Sequence, residues 1–217
     1  MTMKKGFCGV LLAALLMNTA VFGLTVDNDA ELPTLIFGSR PFTDVTQNDW
    51  YYDGVMFAYN SGMMSGTEDG IFSPDESLTR AMMITALYRN AGSPESGAAA
   101  FDDVEKGSWY EKAVAWGSEN GIVSGTGAGK FSPEENITRE QLAVMLANYA
   151  KQNEKTLNGA AELSVFADAA EVSDWAKDAV AAMVGAGVLG GNESGMLCAG
   201  NNATRAETAV MLSRFFK

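Results

Sequence analysis

The 217-residue sequence contains no histidine and only two cysteines. Without imidazole, the chain cannot build a Ser-His-Asp triad, a Cys-His nucleophile pair or the usual histidine-based zinc site. Cys8 lies in the N-terminal apolar run, so a chain that loses this run keeps only Cys198 and forms no internal disulfide. We expect Cys198 to be a small apolar filler, and we expect no bound metal or cofactor. These absences exclude most common hydrolase mechanisms.

Basic residues are also scarce, with 15 Lys and Arg against 27 Asp and Glu and a net charge of −12. Binding to a nucleic-acid backbone depends on clustered cations that release counterions. A chain this acidic is therefore not expected to bind DNA or RNA. The hydrophobic content of 47% is high enough for a folded core. The acidity therefore does not indicate disorder.

A long apolar run occurs only at the N-terminus. Residues 1–23 combine Lys4 and Lys5 with an uncharged apolar stretch, which is the pattern of a secretory signal peptide. An uncleaved membrane anchor is the alternative, because the uncharged run approaches the roughly 20 residues that span a bilayer. We expect residues 24–39 to be a short linker and the rest of the chain to be secreted.

What the sequence does contain is one unit repeated three times. Each copy opens with Phe-x-Asp, continues with a tryptophan and three glycines at four-residue spacing, and then reaches a Thr-Arg pair. From the tryptophan onwards these spacings are the same in all three copies, which indicates that packing fixes the element lengths. The predicted modules are residues 40–95, 99–155 and 163–217, joined by small and polar segments.

Each module is predicted to fold as helix, tight loop, helix, which makes the chain mainly α-helical. Apolar residues recur at helical spacing after each tryptophan, for example at Val55 and Ala58. The threonine of each Thr-Arg pair suits an N-cap; Gln141 and Glu207 complete a capping box in modules 2 and 3, where module 1 has Met82. Because a unit of about 55 residues buries little core alone, we expect the three to share one core with pseudo-threefold symmetry.

These motifs closely resemble the S-layer homology module. The match takes in Phe-x-Asp-Val, Trp, Gly-x-x-x-Gly, Phe-x-Pro and Thr-Arg-[Ala/Glu], in three tandem copies over residues 40–217. Module 3 is the most divergent, with Ala169 in place of Val and Met196-Leu197-Cys198-Ala199 in place of the Phe-Ser-Pro turn. The resemblance implies a trimer of modules in which the helices that open with Thr-Arg form a central three-helix bundle. It also implies binding of an anionic glycan in grooves between modules, either a pyruvylated secondary cell-wall polysaccharide or a modified peptidoglycan.

The residues that recur in the repeat are the candidate carbohydrate-binding residues, and each class has an alternative role. The arginines either bind an anion at a helix N-terminus or form an intramolecular pair with an acid such as Asp44, Asp103 or Asp168. The tryptophans are either core residues or stacking platforms for sugars, and the aspartates either bind sugar hydroxyls or cap the following helix. The glycines either serve the turn or let the ligand approach the backbone. The candidates are Arg80, Arg139, Arg205, Trp50, Trp109, Trp175, Asp44, Asp103, Asp168, Gly66, Gly125 and Gly191.

The predicted function is non-catalytic anchoring of a secreted protein at the cell wall or S-layer. A non-covalently bound wall protein is a further candidate partner, since residues 24–39 are too short to form a cargo domain. One alternative is an S-layer protein that assembles laterally, and another is a wall-glycan hydrolase that uses paired carboxylates. Threefold repetition of one unit favours repeated binding over a single asymmetric catalytic site.

Overall fold

The computed structural model describes residues 41–217, which are mainly α-helical as predicted. The signal peptide and linker predicted at residues 1–23 and 24–39 lie outside the described residues. Within residues 41–217, none of the helices combines the length and the apolar character that a bilayer crossing requires. The helices are α1 (Tyr52–Asn60), α2 (Arg80–Asn90), α3 (Glu111–Glu119), α4 (Arg139–Gln152), α5 (Lys177–Gly185) and α6 (Arg205–Phe216), with short 3-10 turns at Leu163–Val165 and Ala169–Glu171.

The second helix of each module begins at its Thr-Arg pair. Each N-cap threonine accepts a hydrogen bond from the backbone N–H three residues later. In α4 and α6, the side chains of Gln141 and Glu207 bond back to the N-cap backbone, which confirms the two predicted capping boxes. Met82 occupies this position in α2 and has no group that can return the bond. The third residue of each second helix therefore differs chemically among the modules.

The closest helix pairs join different modules. Helix α2 of module 1 packs on α3 of module 2, α4 of module 2 packs on α5 of module 3, and α6 of module 3 packs on α1 of module 1. Each module thus covers the second helix of the preceding module with its own first helix, and the order closes into a cycle. Apolar residues of these helices, such as Val55, Ile84, Val114, Leu142 and Leu212, are fully buried and belong to one hydrophobic core. The cycle explains how small units build a common core.

Three backbone hydrogen bonds link the modules just before their second helices. Leu78 N donates to Ala203 O at 3.0 Å, Ala203 N donates to Ile137 O at 2.9 Å, and Ile137 N donates to Leu78 O at 2.9 Å. The three residues occupy the same position in the repeat, immediately before the N-cap threonine. The bonds form a closed ring to which each module contributes one donor and one acceptor. The complete pseudo-threefold trimer around a central three-helix bundle stays a prediction.

Thr85 of α2 carries a buried hydroxyl that has no hydrogen-bond partner among the described residues. The same position of α4 and α6 holds Val144 and Val210. We expect Thr85→Val to raise the free energy of unfolding by about 1 kcal/mol, because an unpaired buried hydroxyl costs about 1–3 kcal/mol. Urea denaturation measures the change. The control is Thr208→Val, which removes the 2.9 Å hydrogen bond that the buried Thr208 hydroxyl donates to Thr204 O and should lower the free energy of unfolding. A lower free energy of unfolding for Thr85→Val as well would contradict the prediction.

Candidate functional site

The arginine of each Thr-Arg pair reaches from its own helix into the next module of the cycle. Arg80 is 5% exposed; its Nε donates to Phe131 O at 2.9 Å and its Nη2 donates to Ser124 O at 3.2 Å. The guanidinium lies 4.7 Å from the centroid of the Phe131 ring. Burial lowers the pKa of Arg80, but a guanidinium stays charged at neutral pH. A cation is therefore fixed in position between two modules.

Arg139 and Arg205 make the same two bonds to the module that follows each of them. In neither case is the partner an aspartate of a Phe-x-Asp motif, and residues 41–217 contain no ion pair of that kind. Among residues 41–217, the alternative prediction of an intramolecular pair with an acid is therefore wrong for Arg80 and Arg205 and correct for Arg139, although its partner is Glu207 and not an aspartate. The acceptors are Leu197 O (3.0 Å) and Gly190 O (2.9 Å) for Arg139, and Phe72 O (2.8 Å) and Ser65 O (2.7 Å) for Arg205.

Arg139 makes a third bond that the other two arginines lack. Its Nη1 lies 2.7 Å from Oε1 of Glu207, so that α4 and α6 are joined by an ion pair. For Arg80 and Arg205, no bond from Nη1 is found within the described part of the chain. The three arginines thus brace the modules in the same way, and they differ in whether Nη1 has a partner.

The three tryptophans lie on the surface. Trp50 is 67% exposed, Trp109 is 57% exposed and Trp175 is 60% exposed. In modules 2 and 3 the following residue takes the inward position instead, since Tyr110 and Ala176 are buried. The core alternative for the tryptophans is therefore wrong. An indole with an open face can stack on the apolar face of a sugar.

Two grooves bring the candidate arginines, glycines and tryptophans together. Each groove takes its arginine from one module, its glycine loop and second helix from the next, and its tryptophan from the third. All three modules are therefore needed to build one groove. The Arg139 groove, of about 730 Å³, contains Arg139, Gly191 and Trp50, and the Arg80 groove, of about 500 Å³, contains Arg80, Gly125 and Trp175.

The aspartates of the Phe-x-Asp motifs hold the turn that carries the arginine's acceptor. The carboxylate of Asp103 accepts hydrogen bonds from Phe131 N and Ser132 N, both at 2.8 Å. Although burial acts to raise it, the pKa of Asp103 lies below its ordinary value because these N–H groups stabilise the carboxylate. Asp44 and Asp168 make the same pair of bonds in their own modules. 

The aspartates therefore do not cap the following helix, and the N-caps of α1, α3 and α5 receive no side-chain bond. The bonds instead secure a strained backbone, since Ser132 has a φ of 56° and Cys198 of module 3 a φ of 50°. Gly70 and Gly129 nearby have a φ of 73°, as the predicted tight turns require. Direct contact of the aspartates with sugar stays a prediction.

The candidate glycines stand where a side chain would collide with the loop itself. None of the three is among the residues with positive φ in residues 41–217. Close packing within the turn therefore favours glycine at these positions, and a positive φ does not. Approach of the ligand to the backbone stays a prediction. A Cβ would lie 2.4 Å from Ile71 O at Gly66, 2.5 Å from Lys130 O at Gly125, and 2.8 Å from Phe166 Cε1 at Gly191.

Sequence reasoning assigned Gln141 and Glu207 to capping alone and did not place them in a groove. In the structure, Gln141 lines the Arg80 groove together with Asn148, and Glu207 lines the Arg139 groove together with Arg214. Asn148 and Arg214 each follow the capping residue by seven positions, which is two helical turns. The 3.6-residue period would have placed each pair on one helix face.

Comparison with known proteins assigns these repeats to a family. The S-layer homology domain model matches residues 41–83, 100–143 and 165–209. An endoglucanase of Bacillus sp. (strain KSM-635) is 32% identical over 173 residues, which cover 80% of this chain and 18% of that protein. The surface-layer 125 kDa protein of Lysinibacillus sphaericus is 35% identical over 166 residues, or 75% of this chain and 14% of that protein. An S-layer protein of Bacillus thuringiensis subsp. finitimus is 28% identical over 177 residues, which cover 81% of this chain and 21% of that protein. The chain thus spans about a fifth or less of each relative.

Proposed function

Since the chain belongs to the S-layer homology domain family, we propose that it anchors at the bacterial cell surface by binding an anionic wall polysaccharide, pyruvylated on its sugars, in the grooves between modules. The family and the S-layer relatives support a location at the cell surface, associated with the S-layer. The observation that carries the proposal is the pairing of a buried, rigidly held guanidinium with an exposed indole in one groove. A modified peptidoglycan is the alternative ligand.

The chemistry of the Arg80 groove suits a sugar that bears a carboxylate. Arg80 is held by two carbonyls, so its orientation is set before the ligand arrives and little side-chain entropy is lost on binding. A planar guanidinium bonds a carboxylate with favourable geometry, while Trp175 offers a stacking face to the sugar ring. One ketal-bearing sugar therefore satisfies both groups.

The net charge of −12 shapes how such binding operates. A chain of this charge repels an anionic polymer at long range, so association gains nothing from electrostatic steering. Recognition then depends on the local cations, with a modest dependence on salt. Two grooves on one folded unit can engage the same polymer, and this multivalency strengthens contacts that are individually weak.

The endoglucanase relative does not carry its activity to this chain, because the match covers 18% of that protein. We therefore propose a non-catalytic role. Lateral self-assembly is a second candidate, which the surface-layer relative favours. Sedimentation velocity over a range of protein concentrations without glycan tests it; assembly under these conditions would support this candidate over simple anchoring.

The anchoring proposal is tested by co-sedimentation of the protein with purified wall sacculi. We expect Trp175→Ala to weaken binding about tenfold, equivalent to about 1.4 kcal/mol, and Trp50→Ala together with Trp175→Ala to weaken it further. Both side chains are exposed, so these changes spare the core. The control is Val165→Ala, an exposed apolar residue outside both grooves, which should bind as the unchanged protein does.

Chemical removal of the secondary polymer from the sacculi should abolish binding. Binding that survives this removal would identify peptidoglycan as the ligand. Unchanged binding by the double tryptophan variant would move the site away from the two grooves.

A further inference from the structure

The two grooves have the same architecture but differ in the residue that faces the free end of the guanidinium. This residue is the third of each second helix, Gln141 in the Arg80 groove and Glu207 in the Arg139 groove. Both complete a capping box, so one terminal atom of each is committed to the N-cap backbone N–H. The other terminal atom is left to face the groove.

In the Arg139 groove that second atom pairs with the guanidinium and neutralises its charge. Glu207 Oε2 accepts from Thr204 N at 3.0 Å, and Glu207 Oε1 bonds Nη1 of Arg139 at 2.7 Å. All three guanidinium nitrogens of Arg139 then have partners inside the protein. An incoming carboxylate would compete with Glu207 for the guanidinium and would lie beside its negative charge.

In the Arg80 groove the corresponding atom is a donor. Gln141 Oε1 accepts from Thr138 N at 3.2 Å, so the N-cap fixes the orientation of the amide and turns Nε2 away from the cap. Neither Gln141 Nε2 nor Arg80 Nη1 has a hydrogen-bond partner among residues 41–217, and both side chains line the groove. The Arg80 groove thus has two nitrogen atoms without a hydrogen-bond partner where the Arg139 groove has an ion pair.

We propose that the third residue of each second helix determines the charge specificity of its groove. The Arg80 groove, with Gln141, is the high-affinity site for a carboxylate. In the Arg139 groove, Glu207 neutralises Arg139 and Glu193 balances the charge of Arg214, so this groove accommodates an uncharged part of the glycan. The inference rests on the proposed function, since it assigns different parts of the ligand to different grooves. In module 1 the third residue of the second helix is Met82, whose side chain carries no hydrogen-bond donor.

The test exchanges the two residues, as Gln141→Glu and Glu207→Gln. Each is the other's matched control, because both residue types complete the capping box in this chain. The probe is the methyl glycoside of a hexose bearing a pyruvate ketal, used as the free acid and as the uncharged methyl ester. Thermal melting checks that both variants are folded.

Binding in each groove is read separately from the indole N–H signals of the ¹⁵N-labelled protein. Trp175 reports on the Arg80 groove and Trp50 on the Arg139 groove, with signals assigned from single Trp→Phe variants. With the acid, we expect at least tenfold tighter binding at Trp175 than at Trp50. Gln141→Glu should weaken the Trp175 site about tenfold, and Glu207→Gln should strengthen the Trp50 site by a similar factor. With the methyl ester the difference between the grooves should disappear.

Equal affinities for the acid at both tryptophans, affinities unaffected by the exchange, or no indole shift in any form of the protein would overturn the inference. The sacculus assay decides the anchoring proposal independently. Intact sacculus binding with equivalent grooves would retain anchoring and reject charge specificity, whereas absent sacculus binding would reject anchoring itself.

Discussion

Replacing Arg205 with alanine is expected to lower the free energy of unfolding by about 3 kcal/mol. Arg205 is 6% exposed and bonds Phe72 O and Ser65 O in module 1, at the opposite end of the repeat array. Its removal leaves two carbonyls without donors, at about 1–3 kcal/mol each where no water replaces the arginine. The lost packing of the guanidinium over the Phe72 ring, 4.6 Å from its centroid, adds to this cost. Urea denaturation gives the difference, and the melting temperature should fall by about 6–12 °C.

The same helix provides a matched control for this change. Arg214 is exposed on α6, and Arg214→Ala should alter the free energy of unfolding by no more than about 0.5 kcal/mol. Arg205→Lys should recover only part of the loss, because an ammonium cannot direct two donors as a planar fork does. If Arg205→Ala is as stable as the unchanged protein and fails only in wall binding, the arginine is a ligand-binding residue and not a brace.

The structural role of the arginines changes how binding experiments are designed. Alanine at such a position would weaken both the fold and the groove, so a loss of wall binding would have two explanations. The exposed tryptophans and the third residues of the second helices can be altered with little disturbance of the core. These positions separate recognition from stability.

The fold class and the first residue of each second helix could be predicted from the sequence, because both depend on local chemistry. The N-cap threonines and the capping residues Gln141 and Glu207 act within one helical turn, so spacing alone reveals them. The packing of α6 on α1 was not predicted. Hydrophobic periodicity indicates which face of a helix is buried but does not identify the module that covers it. The threefold arrangement of modules was predicted from the sequence, whereas the pairing of each second helix with the first helix of the next module required the structure.

The roles of the candidate site residues were harder to predict for a similar reason. Asp103 binds backbone N–H groups 28 and 29 residues further along the chain, a distance at which no sequence spacing signals contact. The exposure of Trp109 depends on Tyr110 taking the buried position, and either aromatic residue fits an amphipathic pattern. The difference between Arg80 and Arg139 arises from residues supplied by the next module. Tertiary placement thus decides each of these roles.

Gly66→Ala is expected to lower the free energy of unfolding by about 3 kcal/mol. The new Cβ would lie 2.4 Å from Ile71 O and 2.8 Å from Glu68 O, and these are backbone atoms of the same tight turn. Neither oxygen can retreat freely, because Ile71 O accepts a 2.9 Å bond from Thr67 N. Overpacking against a fixed backbone typically costs about 1–3 kcal/mol. Any shift of Gly66 also displaces Ser65 O, which accepts a hydrogen bond from Arg205.

Gly200→Ala is the control for this prediction, since a Cβ at Gly200 meets nothing within 4 Å and the residue is not among those with positive φ. It should change the free energy of unfolding by no more than about 0.5 kcal/mol. Urea denaturation of both variants, alongside sacculus binding, separates two roles for Gly66. A strong loss of stability would show that the loop's own packing requires glycine. Full stability combined with weakened wall binding would instead show that glycine is needed because the ligand approaches the backbone there.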